Sequence, residues 1–135
     1  MDNDDAVKNT DAEPKAEASR CFRIFVSLNG APIGWLTVTG PPEYWVTVTN
    51  DEGSASVWCQ ISYNGKTYLN TGANNYLSYQ ASTTRLTMRA WVYATAWQLV
   101  GSHLKCLGNG KLVGVDGKYL FANGENVVDV KFVAV

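Results

Sequence analysis

The stretch from Leu107 to Gly124 constrains the fold most. It is three short apolar pieces cut by Asn109-Gly110, Asp116-Gly117 and Asn123-Gly124. Such pairs favour two-residue hairpin turns, because both central positions need positive φ. Strands joined so tightly must run antiparallel, since a parallel crossover takes about a dozen residues. The stretch therefore belongs to an antiparallel sheet.

The same grammar appears earlier in the chain. Phe22, Ile24, Val26 and Leu28 alternate with Arg23, Phe25 and Ser27, the period of a strand. Asn29-Gly30 ends that run. Leu36 and Val38 alternate with Trp35, Thr37 and Thr39, and Val46 and Val48 with Trp45, Thr47 and Thr49. A loop from Gly40 to Tyr44 sets Val38 opposite Val46 and Leu36 opposite Val48, which keeps the valines on one face. Farther on, Leu86, Met88, Ala90 and Val92 alternate with Thr87, Arg89, Trp91 and Tyr93.

Three sections share three landmarks in order. The first is an Asn-Gly turn: Asn29-Gly30, Asn64-Gly65, Asn109-Gly110. The second is a Tyr before a large apolar residue: Tyr44-Trp45, Tyr76-Leu77, Tyr119-Leu120. The third is an aromatic that closes the section: Trp58, Trp97 and Phe132, spaced by 39 and 35 positions. A propeller needs at least four blades, and three copies fit. A two-sheet sandwich would also show short alternating strands, but it does not require the landmarks to recur.

Three copies of about four strands each, with no helical pattern, resemble a β-trefoil over residues 22–135. Gly117-Lys118-Tyr119-Leu120, with an aromatic twelve positions beyond Leu120, is similar to the fascin and hisactophilin branch. The related ricin B-type lectins end each copy in Gln-x-Trp; here the order is reversed in Trp58-Cys59-Gln60 and Trp97-Gln98. The resemblance implies a six-stranded barrel capped by three hairpins, with the closing aromatics in a shared core. It also implies a binding function.

Residues 1–20 differ from the rest. They hold Asp2, Asp4, Asp5, Asp11, Glu13 and Glu17 against Lys8, Lys15 and Arg20, with Val7 the one large branched apolar side chain. Such a segment buries too little surface to offset its ordering entropy. The expected organisation is a disordered acidic tail over 1–20 and one all-β domain over 21–135. The domain is near charge balance, without the dense basic field of a nucleic-acid binder. No apolar run reaches the roughly 18 residues of a membrane span.

Cys21, Cys59 and Cys106 make an odd set without Cys-x-x-Cys spacing, which argues against a disulfide framework or a zinc site. Cys59 and Cys106 read as core residues and Cys21 as an exposed thiol. With no basic start and apolar run at the N-terminus, the expected location is cytoplasmic, with non-classical secretion left open.

Catalytic patterns are missing: one histidine, His103, and no Gly-x-Ser-x-Gly, His-Glu-x-x-His or phosphate-binding loop. The turn carboxylates read as groups that bond their own backbone. The expectation is a non-enzymatic module without a cofactor or metal. Alternation puts Trp35, Trp45, Trp91 and Tyr93 on polar, Thr-rich faces, for ligand contact or cross-strand packing. Asn74, Asn75 and Tyr79 in the second copy, and Asp116, Tyr119 and Asn123 in the third, stand beside turns as pocket candidates. Together these ten residues point to carbohydrate binding, with indoles stacking on sugar and turn amides and carboxylates bonding hydroxyls. The alternative is a protein-binding trefoil of the actin-binding or protease-inhibitor kind. A homodimer closed through the aromatic face is a third use of the same residues.

Overall fold

A computed structural model describes residues 8–14 and 20–135. Its strands are β1 (Cys21–Leu28), β2 (Ala31–Val38), β3 (Val46–Thr49), β4 (Trp58–Tyr63), β5 (Lys66–Gly72) and β6 (Asn75–Tyr79). They continue with β7 (Leu86–Arg89), β8 (Trp97–Val100), β9 (His103–Cys106), β10 (Gly114–Asp116), β11 (Tyr119–Phe121) and β12 (Asp129–Ala134). Two short 3-10 turns, Glu52–Ser54 and Trp91–Tyr93, complete the elements. The chain is all-β, and the strands form one curled, twelve-stranded antiparallel sheet.

The pairing follows a regular plan. β1 pairs with β12 and β4, β4 with β5, β5 with β8, and β8 with β9. β9 meets the start of β12, where the Val130 N–H donates to the Ser102 carbonyl. The remaining strands make the hairpins β2–β3, β6–β7 and β10–β11. These hairpins touch one another at Tyr119–Thr47, Trp45–Thr87 and Arg85–Phe121.

Local sequence explains the hairpins. Asn29-Gly30 and Asn64-Gly65 turn β1 into β2 and β4 into β5, with positive φ at all four residues, whereas β10 turns into β11 at Gly117-Lys118, one residue past the expected Asp116-Gly117, because Asp116 pairs with Tyr119 in the ladder. Val38 lies opposite Val46 and Leu36 opposite Val48, the register that alternation requires. The Asn-Gly landmarks are nonetheless unequal. Asn64-Gly65 leads into the first strand of the second set of four, whereas Asn29-Gly30 and Asn109-Gly110 follow first strands. The tyrosine landmark also divides: Tyr44 is exposed, Tyr76 buried and Tyr119 half-buried.

Trp58, Trp97 and Phe132 share one core with Ile24, Leu36, Leu77 and Leu120. Phe132 stacks on Phe22 at 4.3 Å. A second, smaller core gathers Ile61, Tyr68, Tyr76, Trp91, Ala94 and Ala96, and it lies under the site described below.

Two sequence expectations need correction here. Cys21 and Cys59 form a disulfide, so neither is a free thiol; Cys106 is the buried free cysteine. The two are direct partners across β1 and β4, with Cα atoms 4.1 Å apart. Chain spacing gives no sign of this, because strand adjacency arises only when the sheet curls. The run from Leu86 to Tyr93 is likewise not one strand. β7 stops at Arg89, and residues 91–93 coil into a 3-10 turn closed by Tyr93 N–H to Ala90 O and Ala94 N–H to Trp91 O. No helix among the described residues is long and apolar enough to cross a membrane.

Candidate functional site

The second 3-10 turn changes the fate of its aromatics. Leaving the strand rotates Trp91 off the polar face and into the second core, where it is 4% exposed. The turn is pinned from both sides. The Trp91 N–H donates to Asn74 Oδ1 at 2.8 Å, and Ser78 Oγ donates to the Tyr93 carbonyl at 2.8 Å. Asn74 itself sits at φ 55, a left-handed position that Asn tolerates. Around the indole stand Tyr68 at 4.9 Å, Tyr76 at 5.2 Å and Tyr63 at 5.4 Å, in tilted or edge-on contacts. Such ring pairs contribute about 0.5–1.5 kcal/mol each beyond burial.

The outer wall of this cluster is the chain's own residues 8–14. Asn9 N–H donates to Val92 O at 2.8 Å. Asn9 Nδ2 donates to Trp91 O at 2.6 Å and to Ala94 O at 3.2 Å, which satisfies carbonyls of the 3-10 turn. The indole Nε1–H of Trp91 donates to Asp11 O at 2.9 Å. The Tyr63 hydroxyl donates to Asp11 Oδ2 at 2.6 Å, and the Asn74 N–H to Glu13 Oε2 at 2.6 Å. Tyr93, half-buried, lies between the Arg89 guanidinium at 4.4 Å and the Lys8 ammonium at 5.7 Å. Beyond Glu13 the groove opens into a cleft of about 550 Å³ lined by Pro14, Val57, Ile61, Asn70 and Tyr76.

The expected disordered tail thus has a held part. Residues 1–7 and 15–19 lie outside the described residues. Over 8–14 there is roughly one hydrogen bond per ordered residue, each worth about 1 kcal/mol net. Ordering the backbone costs about 1–2 kcal/mol per residue. The ordering cost equals or exceeds what the bonds return, so the segment's hold on the groove is modest and depends on the aromatic floor.

The groove leaves a signature in its tyrosines. The Asp11 carboxylate accepting from Tyr63 raises the Tyr63 pKa, since a phenolate there would lose the bond and face a like charge. Burial, then the hydrogen bond with Glu13, pushes Tyr76 up to about 12. Burial raises Tyr68 as well. A pKa raised by folding contributes stability that is present below the unfolded value near 10 and lost as pH climbs through the folded value. In an absorbance titration Tyr76 should ionise near pH 12, with near-ultraviolet circular dichroism fading across pH 10–12. Normal ionisation of every tyrosine near pH 10, with the fold retained, would contradict the buried cluster.

The other sequence candidates are dispersed. Tyr79 is not a pocket residue: its side chain is buried in the main core and lies against Gly108, where an added Cβ would meet the ring at 2.6 Å. Trp91 is buried, not exposed, for the reason given. Asn75 donates to Thr71 Oγ1 across the bulge between β5 and β6. Trp35 packs edge-on against Phe25, its cross-strand partner, at 5.0 Å. Asn123 accepts from the Glu125 N–H, a turn that closes on its own backbone. Asp116 is exposed at the tip of the β10–β11 hairpin.

Trp45 and Tyr119 do come together, through Arg85. Its guanidinium lies 4.7 Å from the Trp45 ring, 4.8 Å from Tyr119 and 5.6 Å from Phe121, where the three hairpins meet. Arg85 Nε is buried without a hydrogen-bond partner.

Ser102, His103 and Asp129 also cluster. Ser102 Oγ donates to Asp129 Oδ1, and His103 Nε2 lies 3.3 Å from the same oxygen. Both groups address the carboxylate. A nucleophilic serine would instead bond to the histidine. Among the described residues no group of three His, Cys, Asp or Glu side chains is placed to hold a metal ion.

Sequence reading overlooked Asn9, Asp11, Glu13, Tyr63, Tyr68 and Arg85. One signal was present. The 39-residue spacing of Trp58 and Trp97 also carries Glu52 onto Trp91, and both begin 3-10 turns. The first turn holds no buried residue, whereas the second buries Trp91. An aromatic where the sister copy keeps a solvated Glu marks a feature particular to the second copy.

No family model, curated protein or solved structure matches the chain.

Proposed function

We propose that this chain is a non-enzymatic binding module of β-trefoil architecture whose ligand is a short stretch of polypeptide, taken up on the Trp91 groove. Support for the architecture comes from the pairing plan: β1, β4, β5, β8, β9 and β12 follow one another around a ring, and three hairpins meet at Trp45, Arg85 and Tyr119. The observation that carries the function is the seating of residues 8–14, whose main chain and side chains bond to the groove at alternate positions. Main-chain bonds combined with side-chain bonds at every second residue are working parts of peptide recognition. The Cys21–Cys59 disulfide favours work in an oxidising compartment.

Sugar binding is the second reading, favoured by a different place. Trp45 and Tyr119 are half-buried rings beside the exposed Asp116 on the hairpin face. One experiment separates the two. The isotope-labelled full chain is titrated with a pooled peptide library and with a glycan panel, while the indole N–H signals of Trp91 and Trp45 are followed. Peptides should move Trp91. A response confined to Trp45 with glycans, and none with any peptide, would replace the polypeptide reading by the sugar reading.

A further inference from the structure

Resting on the polypeptide reading, we infer that the groove is selective for an acidic Asn-x-Asp-x-Glu segment of a partner protein, and that residues 8–14 are its built-in competitor. Asn9, Asp11 and Glu13 all bond to the body, whereas no bond among the described residues holds Thr10 or Ala12; Asn9 and Glu13 are half-buried and Asp11 stays exposed. The bonds therefore fall on every second residue, with a bend of the chain at the middle one. Each position asks for one chemistry. At the first, Ala94 O and the second lone pair of Trp91 O, whose first holds the Ala94 N–H, accept from one donor. An amide supplies it, and a carboxylate would set acceptor against acceptor. At the second, the Tyr63 hydroxyl needs an acceptor, while the Trp91 indole N–H takes the main-chain carbonyl of the same residue. At the third, the Asn74 N–H donates to a carboxylate. A lysine or arginine at either acidic position leaves those donors unanswered.

The occupant's weak hold makes competition workable, and the cleft beyond Glu13 gives an incoming segment room to continue past Val57. An intramolecular occupant has a high effective concentration, so the partner must engage more surface than residues 8–14 cover or arrive with a second contact.

The test uses the full chain and a synthetic peptide of residues 8–14. Two chains are compared: wild type and a triple variant, Asn9→Ala, Asp11→Ala and Glu13→Ala. Binding is read by calorimetry and by the Trp91 indole N–H signal, and unchanged Trp58 and Trp97 signals check the fold. The triple variant should bind the peptide at least about tenfold tighter than wild type, because its groove is open. Peptides with Asn→Asp at the first position or Glu→Lys at the third should lose about tenfold each, the first because a carboxylate faces carbonyl oxygens and the second because a hydrogen bond to a charged group is lost. If the triple variant does not fold, the single variant Asn9→Ala serves the same comparison. Equal affinity of both chains would overturn the competitor. Equal binding of a scrambled peptide would overturn the selectivity and leave the polypeptide reading standing. Failure of every peptide on a folded open chain would overturn that reading itself. A wild-type chain sedimenting at twice its mass, with the triple variant at its single mass, would make residues 8–14 a contact between copies and overturn the partner.

Discussion

Trp91→Ala should lower the stability of the protein by about 3–5 kcal/mol and release residues 8–14 from the body in the same step. The reason is that one side chain does two jobs. Its ring is the centre of the second core, against Tyr63, Tyr68 and Tyr76. Its Nε1–H anchors the main chain of Asp11, and its own carbonyl receives Asn9. Removing the ring opens a cavity among three tyrosines and leaves the Tyr76 hydroxyl in contact with water. Urea unfolding of wild type and variant gives the stability change. Amide exchange at Asn9, whose N–H bonds to Val92 O, reports the release. A loss below about 1 kcal/mol would show that the ring is not the keystone of that core. Unchanged protection at Asn9 would show that the segment is held without the indole, by the Asn9 bonds to main-chain carbonyls and by its carboxylates. Trp91→Phe should fall between the two, keeping much of the packing but losing the bond to Asp11.

Gly114→Ala should abolish cooperative folding or reduce stability by at least about 3 kcal/mol. A Cβ at residue 114 would lie 1.6 Å from the Glu125 carbonyl oxygen and 3.0 Å from the Asn126 oxygen. Both obstacles are main chain, so no side-chain rotation relieves them. The close approach comes from the bridge of Gly114 to Val127, by which residues 125–127 close over β10. The methyl group can be accommodated only by parting that bridge, which also holds the Val115 N–H to Asn126 O and the Val128 N–H to Val113 O. Gly40→Ala is the matched control, because nothing lies within 4 Å of its Cβ. It should change stability by under about 1 kcal/mol. Thermal unfolding of the two variants side by side would decide the matter. A Gly114→Ala protein as stable as the control would mean that residues 125–127 do not close over β10 as described.

Both predictions rest on places where one chain element lies against another, and these are the places where sequence reading was weakest. It did well wherever the physics was local. The β2–β3 register follows from counting residues around Gly40 to Tyr44, and the observed pairing agrees. Trp58, Trp97 and Phe132 were expected in a shared core and are found there. The turn carboxylates were read as bonding their own backbone, and Asp51 in the turn after β3 accepts from Gly53 N–H and Ser54 Oγ. Errors arose where alternation was extended past its real end. Trp91 and Tyr93 continue the beat of Leu86 to Val92 in the sequence, but the chain coils at Ala90 and the beat no longer says which way a ring points. Tyr79 went wrong differently: it does stand at a strand end, yet Gly108 supplies a gap for its ring from a distant part of the chain.

The candidate site was half legible. Asn74, Trp91 and Tyr93 were singled out and do stand at the groove, although Asn74 acts on the backbone and Trp91 from within the core, while Asn75 bonds to Thr71 away from it. Asn9, Asp11 and Glu13 were hidden inside a segment whose composition reads as unable to order itself. That inference holds for the segment alone. It fails because the aromatic floor is supplied by β4, β5 and β6 and by the second 3-10 turn.

Alternation and turn chemistry, which depend only on neighbouring residues, determined the strand class, the antiparallel sense, the hairpin register and the inward faces. The curl of the sheet decided the rest: that Cys21 bonds Cys59, that Arg85 enters a box of three rings, and that Asn9 finds Trp91 across 82 positions. Those meetings are long-range. Which surface a residue comes to rest on depends on how every intervening strand is placed, and no local pattern encodes that.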